Sequence, residues 1–83
     1  MARKLVAYTN LESCNPCKAI HPSLLTIAQS HEVEFKHLAT DRADFIEAGV
    51  MSTPTFHIIE DGEKVAELRG LVTSNELIAA LTG

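Results

Sequence analysis

Four stretches of the chain have the apolar pattern of a β-strand. They cover residues 4–9, 33–39, 55–60 and 64–68. In the first, Leu5 to Tyr8 is almost continuously apolar, which is typical of a strand covered on both faces. The second alternates apolar and polar side chains, as a half-buried strand does. Asp61 and Gly62 separate the last two stretches and are a strong hairpin signal, so these two strands are predicted to pair antiparallel.

Three other segments have apolar residues at intervals of three and four, which indicates α-helices. The first begins at Pro16 and fades near residue 30, and the second is short and ends at Gly49. We expect Ser13, Asp41 and Ser74 to cap the three helices, because their side chains can accept hydrogen bonds from the first turn. The predicted apolar stripes are Ile20, Leu24, Ile27 and Ala28, then Phe45, Ile46 and Ala48, then Leu77, Ile78 and Leu81.

The element order is therefore β-α-β-α-β-β-α, which indicates an α/β fold. A helix joins the first two strands, so these strands should be parallel with a right-handed crossover. The hairpin adds two antiparallel strands on the other side. We expect one domain over residues 1–83, with a mixed four-stranded sheet flanked by helices on both faces.

Composition excludes several classes of function. The 83 residues have a net charge of −4, and the lysines and arginines are scattered, which speaks against a nucleic-acid partner. No apolar run approaches the roughly 20 residues that span a bilayer. The short apolar opening runs directly into the next motif, so we interpret it as the first strand of a cytoplasmic protein rather than a signal peptide. We expect a monomer without a membrane partner.

The chemistry of the chain is concentrated in Cys14-Asn15-Pro16-Cys17, which contains its only two cysteines. The motif lies between the first strand and the first helix. A thiol at a helix N-terminus meets the positive end of the backbone dipole and unpaired N–H groups, which favour the thiolate. The thiolate is the nucleophilic form, and a second sulfur one turn away can complete a disulfide exchange. The motif therefore predicts redox chemistry.

Two other interpretations of the cysteines remain open at this stage. They can close a structural disulfide, although so small a ring constrains little of the unfolded chain. With His21 they can also form part of a zinc site, but a fourth ligand with suitable spacing is missing, and we predict no metal. In a reducing compartment, a lone cysteine pair is more often catalytic than structural.

The whole pattern resembles the thioredoxin superfamily. Residues 14–22, with a proline between the cysteines and Pro22 five residues beyond the second, are similar to the superfamily's active-site helix. Residues 49–56 are similar to the segment that carries a cis-proline, here Pro54, facing the sulfurs. A trans Pro54 that merely opens a strand is the alternative. Gly70 matches the superfamily's glycine beyond the fourth strand.

The resemblance implies a thiol–disulfide oxidoreductase that reduces protein disulfides. Pro16 suits the first helical turn, which leaves Cys14 near the N-cap with an exposed sulfur and Cys17 one turn further in. Cys14 is thus the expected nucleophile and Cys17 the resolving thiol. The other expected site residues are Asn15 and Pro16, which tune the redox potential, Thr53 and Pro54, which shape a substrate groove, and Gly70. No bound cofactor is implied, and electrons would come from a separate reductase of the thioredoxin-reductase type.

Departures from the superfamily's pattern define the alternatives. The chain is as short as a glutaredoxin, but Asn10 replaces the basic residue and a single glycine, Gly70, replaces the glycine pair that holds glutathione. Tyr8 and Thr9 resemble small glutaredoxin-like donors to ribonucleotide reductase. The superfamily's buried aspartate has no match in the first strand, so we expect water or substrate to take the proton of Cys17. The alternatives are a glutathione-dependent glutaredoxin and a non-catalytic binding module of the same fold.

Overall fold

The computed structural model describes residues 2–83 and has the predicted element order. Four strands and three helices alternate with short connections. Their bounds are β1 Arg3–Thr9, α1 Asn15–Ile27, β2 Glu32–His37, α2 Arg42–Ala48, β3 Thr55–Glu60, β4 Glu63–Arg69 and α3 Ser74–Thr82. Of the helices within residues 2–83, none is long and apolar enough to cross a membrane.

The strands form one mixed four-stranded sheet, as predicted, and their order is β2-β1-β3-β4. β1 pairs in parallel with β2, and β3 pairs antiparallel with both β1 and β4. Tyr8 near the end of β1 lies opposite Thr55 at the start of β3. The C-terminal end of β1 and the N-terminal end of β3 therefore lie side by side at one end of the sheet. This register brings the cysteine loop and the proline segment to the same end of the sheet.

Helices cover both faces of the sheet. On one face, α1 and α3 pack against alternate residues of β1 and β3; this cluster contains Leu5, Ala7, Leu24, Ile27, Phe56, Ile58, Leu77 and Leu81. On the other face, Phe45 of α2 packs against Val6 and Tyr8. Both faces of β1 are buried, which explains why its sequence is continuously apolar instead of alternating.

The element bounds differ from the predictions where the chain turns. β2 ends at His37, two residues before the predicted end, because the N–H groups of Thr40 and Asp41 both turn back to the His37 carbonyl. α1 ends at Ile27, before the predicted region near residue 30. Ile46 and Ile78 were expected on buried stripes but are 74% and 37% exposed, since only one side of each short helix meets the sheet.

Two predicted helix caps are also wrong. The Asp41 side chain makes no capping hydrogen bond, because its carboxylate accepts the His37 N–H at 2.9 Å. Thr73 caps α3 in place of Ser74, which is the first helical residue. The Thr73 hydroxyl accepts the Glu76 N–H at 3.1 Å, and the Glu76 carboxylate reaches back to the Thr73 N–H, which completes a capping box.

Candidate active site

The two cysteines lie at the junction of β1 and α1. Cys14 is the N-cap residue of α1, with extended backbone angles, and Cys17 lies in the first turn of the helix. Their sulfurs are joined in a disulfide, with 5.2 Å between the two Cα atoms. The Cys14 sulfur also accepts a hydrogen bond from the Cys17 N–H at 3.2 Å. The sulfur thus takes the place of a capping oxygen.

Ser13 does not cap α1, contrary to the prediction. Its hydroxyl accepts a hydrogen bond from the Asn10 side-chain amide at 2.8 Å instead. The cap moves one residue because the Cys14 sulfur already satisfies the donor at the start of the helix. The first turn therefore begins directly after Cys14, the expected nucleophile.

The two sulfurs differ in accessibility. Cys17 is completely buried, whereas Cys14 is half-buried and Asn15 beside it is exposed. Pro16 is the second residue of the helix, where its missing N–H leaves no intrahelical bond unmade. A disulfide-containing substrate could therefore reach the Cys14 sulfur, while the Cys17 sulfur faces the interior.

The proline segment, residues 49–56, lies at the same end of the sheet as the cysteine loop. The Thr53–Pro54 peptide bond is cis, and Pro54 is fully buried directly before β3. The Pro54 carbonyl accepts the Gly70 N–H at 2.9 Å, and Gly70 has a left-handed φ of 74°. The structure thus joins Pro54 and Gly70 directly. The pairing of β1 with β3 brings Thr53 to the end of the sheet from which the cysteine loop leaves β1.

Asn10 is a site residue that the sequence analysis did not assign to the site. Its N–H donates to the Cys17 sulfur at 3.5 Å, and its carbonyl accepts the Cys14 N–H at 3.0 Å. Its side-chain oxygen accepts the Glu12 N–H at 3.2 Å, which is an Asx turn. An asparagine directly after a strand and before a helix cap is the signal that points to such a turn. Both hydrogen bonds that reach a sulfur within residues 2–83 come from main-chain N–H groups.

The superfamily's buried aspartate has no match in β1, and the aromatic residue Tyr8 lies in that part of the strand instead. The Tyr8 ring contacts Phe45 and His57, with ring centroids 5.2 and 4.9 Å away. Burial raises the pKa of the Tyr8 phenol above its ordinary value. Lys36, on the neighbouring strand, is paired with Glu34 at 2.9 Å. The Glu34 carboxylate raises the pKa of this lysine, so its ammonium stays charged.

A charge cluster on β3 and β4 lies on the same face as Tyr8. Glu67 contacts the Lys64 ammonium at 2.8 Å and forms an ion pair with Arg69. These hydrogen bonds, first from Lys64 and then from Arg69, lower the pKa of Glu67 to about 2. His57 lies 3.4 Å from Glu67, and burial lowers its pKa. His57 and Glu67 line a small cavity of about 120 Å³ beneath residues 49–52.

The histidine next to the cysteines is turned toward the sheet. The His21 ring packs edge-on against Phe35, with 5.8 Å between ring centroids, and its Nδ1 is buried without a hydrogen-bond partner. Within residues 2–83, no group of three or more histidine, cysteine or acidic side chains is arranged to hold a metal ion.

Fold and site together define a class of protein, a thioredoxin-like domain with a cysteine pair at a helix N-terminus. The thioredoxin family model matches residues 2–83, and the chain therefore belongs to the thioredoxin family. It is 37% identical over 60 residues to a thioredoxin of Alternaria alternata, and 36% identical over 61 residues to one of Acetoanaerobium sticklandii. Each match covers 69% of this chain but only 51% and 58% of the relative. The chain thus spans about half the length of the curated relatives it matches.

Solved structures agree on the fold. A mutant thioredoxin from Halobacterium salinarum superposes with a TM-score of 0.87 at 26% identity, covering 96% of this chain and 72% of that one. Fasciola hepatica thioredoxin superposes with a TM-score of 0.87 at 23% identity, covering 98% and 79%. The predicted thioredoxin-like architecture is therefore confirmed.

Proposed function

We propose that this chain is a small thiol–disulfide oxidoreductase that reduces protein disulfides through a dithiol–disulfide cycle of Cys14 and Cys17. The position of Cys14 at the N-cap of α1 carries the proposal. There its sulfur accepts the Cys17 N–H at 3.2 Å and meets the positive end of the helix dipole. Both effects favour the thiolate, which is the nucleophile. Cys17 is already within bonding reach, as the disulfide in the structure demonstrates.

The cycle has two exchange steps. The Cys14 thiolate attacks one sulfur of the substrate disulfide, forms a mixed disulfide and releases the other substrate sulfur as a thiolate, which takes a proton from water. Cys17 then loses its proton to water, and its thiolate attacks the Cys14 sulfur. The Cys14–Cys17 bond forms, the mixed disulfide breaks, and the second substrate sulfur leaves and is protonated. Two electrons pass from the cysteine pair to the substrate.

The proline segment would position the substrate. The start of β3 lies beside the end of β1, and Pro54 is tied to Gly70 through its carbonyl. We assign Thr53, Pro54 and Gly70 to a groove in which an extended peptide pairs with the main chain beside the Cys14 sulfur. Asn15 and Pro16, in the first turn of α1, would tune the potential of the pair.

The cycle needs an external source of electrons. A reductase of the thioredoxin-reductase type would return the disulfide to the dithiol, with no cofactor bound to this chain. A reducing compartment such as the cytoplasm is consistent with a lone cysteine pair. We infer that the chain acts there as a monomer. Ribonucleotide reductase is one disulfide substrate to include in the tests, because the resemblance at Tyr8 and Thr9 suggested it.

Insulin reduction tests the proposal. The chain is supplied with NADPH and a thioredoxin reductase, or with glutathione and its reductase, and precipitation of the insulin B chain is followed. We expect turnover with thioredoxin reductase, and none in Cys14→Ser. Turnover only with glutathione would favour the glutaredoxin alternative. No turnover in either system, although the disulfide can be reduced chemically, would refute the oxidoreductase proposal.

Trapping identifies the substrate class. Cys17→Ser keeps the nucleophile but removes the resolving thiol, so mixed disulfides with substrates should accumulate. The Cys14→Ser variant is the matched control, because the remaining Cys17 is completely buried. We expect trapped proteins with Cys17→Ser that dithiothreitol releases. Equal capture by both variants would contradict the assignment of Cys14 as nucleophile.

A further inference from the structure

Asn10 is connected to both cysteines through its main chain and to the intervening loop through its side chain. Its N–H lies 3.5 Å from the Cys17 sulfur, and its carbonyl accepts the Cys14 N–H at 3.0 Å. The side-chain oxygen accepts the Glu12 N–H at 3.2 Å, and the side-chain amide donates to Ser13 at 2.8 Å. Four hydrogen bonds thus converge on one half-buried residue between β1 and the helix cap.

The direction of the Asn10 N–H depends on the conformation of this loop. The Thr9 carbonyl, which belongs to the same peptide group as the Asn10 N–H, accepts the Leu38 N–H at 3.0 Å, and the hydrogen-bond ladder of the sheet ends there. The side chain of Asn10 adds a second constraint on the loop side, because an Asx turn holds residues 10–12 and the bond to Ser13 holds the residue before the cap. Glu12 and Ser13 are exposed and offer little packing to do the same.

We propose that Asn10 is a positioning residue for the resolving thiol, whose side chain holds its own N–H against the Cys17 sulfur. The proposal rests on the proposed function and concerns the second exchange step. A hydrogen bond to a charged acceptor is roughly twice as strong as one between neutral groups. The Asn10 N–H therefore stabilises the Cys17 thiolate more than the thiol, at a residue that is completely buried in the folded chain. It supplies this stabilisation without any acidic side chain.

The expected effect has a distinctive pH dependence. Loss of one hydrogen bond to a charged sulfur should raise the midpoint for Cys17 ionisation by about one pH unit, or about 1.4 kcal/mol. Below the midpoint the thiolate fraction falls about tenfold, but a more basic thiolate is about threefold more reactive. The net loss in rate is therefore about threefold near neutrality. Above the midpoint the variant should be as fast as the unchanged protein, or faster.

Stopped-flow reaction of the reduced protein with excess dithiobis(nitrobenzoate) separates the two steps. Attack by Cys14 releases a first nitrothiobenzoate in a phase that depends on reagent concentration. Attack by Cys17 releases the second in a phase that does not. For Asn10→Ala we expect an unchanged first phase, a second phase about threefold slower at pH 7, and a midpoint about one unit higher. Asn10→Ser keeps an acceptor for the Glu12 N–H and should recover part of the effect.

Two controls separate positioning from stability. Asn75→Ala makes the same chemical change at an exposed residue of α3 and should alter neither phase. Ser13→Ala removes the contact with the Asn10 amide but keeps the Asx turn, so its effect should be smaller than that of Asn10→Ala. A second phase in Asn10→Ala with the rate and midpoint of the unchanged protein would overturn the proposal.

Equal slowing of both phases at every pH would also overturn the proposal, because it indicates a merely structural role. If the unchanged protein releases the chromophore in two phases, the two exchange steps of the proposed cycle occur whatever Asn10 does. If it releases none, the proposed function fails first, and the role of Asn10 fails with it. The experiment thus distinguishes the two failures.

Discussion

Substitution of Gly70 by alanine should destabilise the fold modestly and weaken substrate binding, and Gly62→Ala offers a matched control. Both glycines have left-handed φ angles, 74° and 83°. At both positions an added Cβ would meet no atom within 4 Å. The difference between them is their location. Gly70 donates to the Pro54 carbonyl at 2.9 Å, whereas Gly62 lies in the β3–β4 hairpin turn.

The stability cost follows from the backbone alone. A left-handed conformation costs an L-residue about 1–2 kcal/mol, and no steric clash adds to it at either glycine. We therefore expect each variant to lose about 1–2 kcal/mol, which for a domain of this size corresponds to roughly 4–16 °C in the melting temperature. The Gly70 N–H can still bond to Pro54, because alanine keeps the donor.

The effect on activity should separate the two variants. A methyl group at Gly70 would meet no atom of this chain, and if Gly70 lines the proposed groove, the methyl group would meet a bound peptide. We expect Gly70→Ala to raise KM for insulin reduction several-fold with little change in kcat, and Gly62→Ala to leave both unchanged. Urea unfolding of the same variants measures the change in the free energy of unfolding. Equal KM values for the two variants would refute the assignment of Gly70 to the groove, and a loss above about 3 kcal/mol would refute the strain-only account.

The buried core predicts that Leu24→Ala loses about 2–5 kcal/mol in urea unfolding, whereas the adjacent Leu25→Ala, half exposed, should lose under about 1 kcal/mol; similar losses would contradict the packing. Thr73→Ala should lose about 1 kcal/mol and Ser74→Ala much less, and the reverse order would restore the original cap prediction. The pKa of Glu67 is lowered from 4.5 to about 2, so its contribution to stability is present above pH 4.5 and disappears as the pH falls toward 2. Glu67→Gln should therefore flatten the loss of stability in that window, and an unchanged acid titration would contradict the ion pairs.

The sequence was sufficient for the order of elements, the parallel pairing of β1 with β2 and the β3–β4 hairpin, but not for the antiparallel pairing of β1 with β3. Period-two and period-three-to-four patterns identified all four strands and three helices, and the turn at Asp61 and Gly62 identified the hairpin. These signals are local, because an element must bury one face wherever it lies. The position of the cysteines at the start of α1 followed from the same local pattern.

The residues that cap the helices could not be predicted from these local patterns. Ser13, Asp41 and Ser74 are all good capping residues, yet Ser13 and Ser74 each adjoin another residue that can accept from the same donors, and Asp41 can accept from the preceding turn instead. Cys14 caps α1, the Asp41 carboxylate turns to the His37 N–H, and Thr73 caps α3. Competition between adjacent polar groups is decided by the path of the whole chain into the helix, which the one-dimensional pattern does not contain.

The sequence by itself therefore determined where the Cys14–Cys17 pair lies, at the start of a helix after a buried strand. The tertiary structure decided what surrounds that pair. It placed the Asn10 N–H against the Cys17 sulfur, and it joined Pro54 and Gly70 at the end of the sheet where the cysteine loop begins. The physical reason is distance along the chain: the segments that carry Cys14 and Pro54 reach the same end of the sheet only through the antiparallel register of β1 with β3, and long-range register depends on the packing of the complete fold.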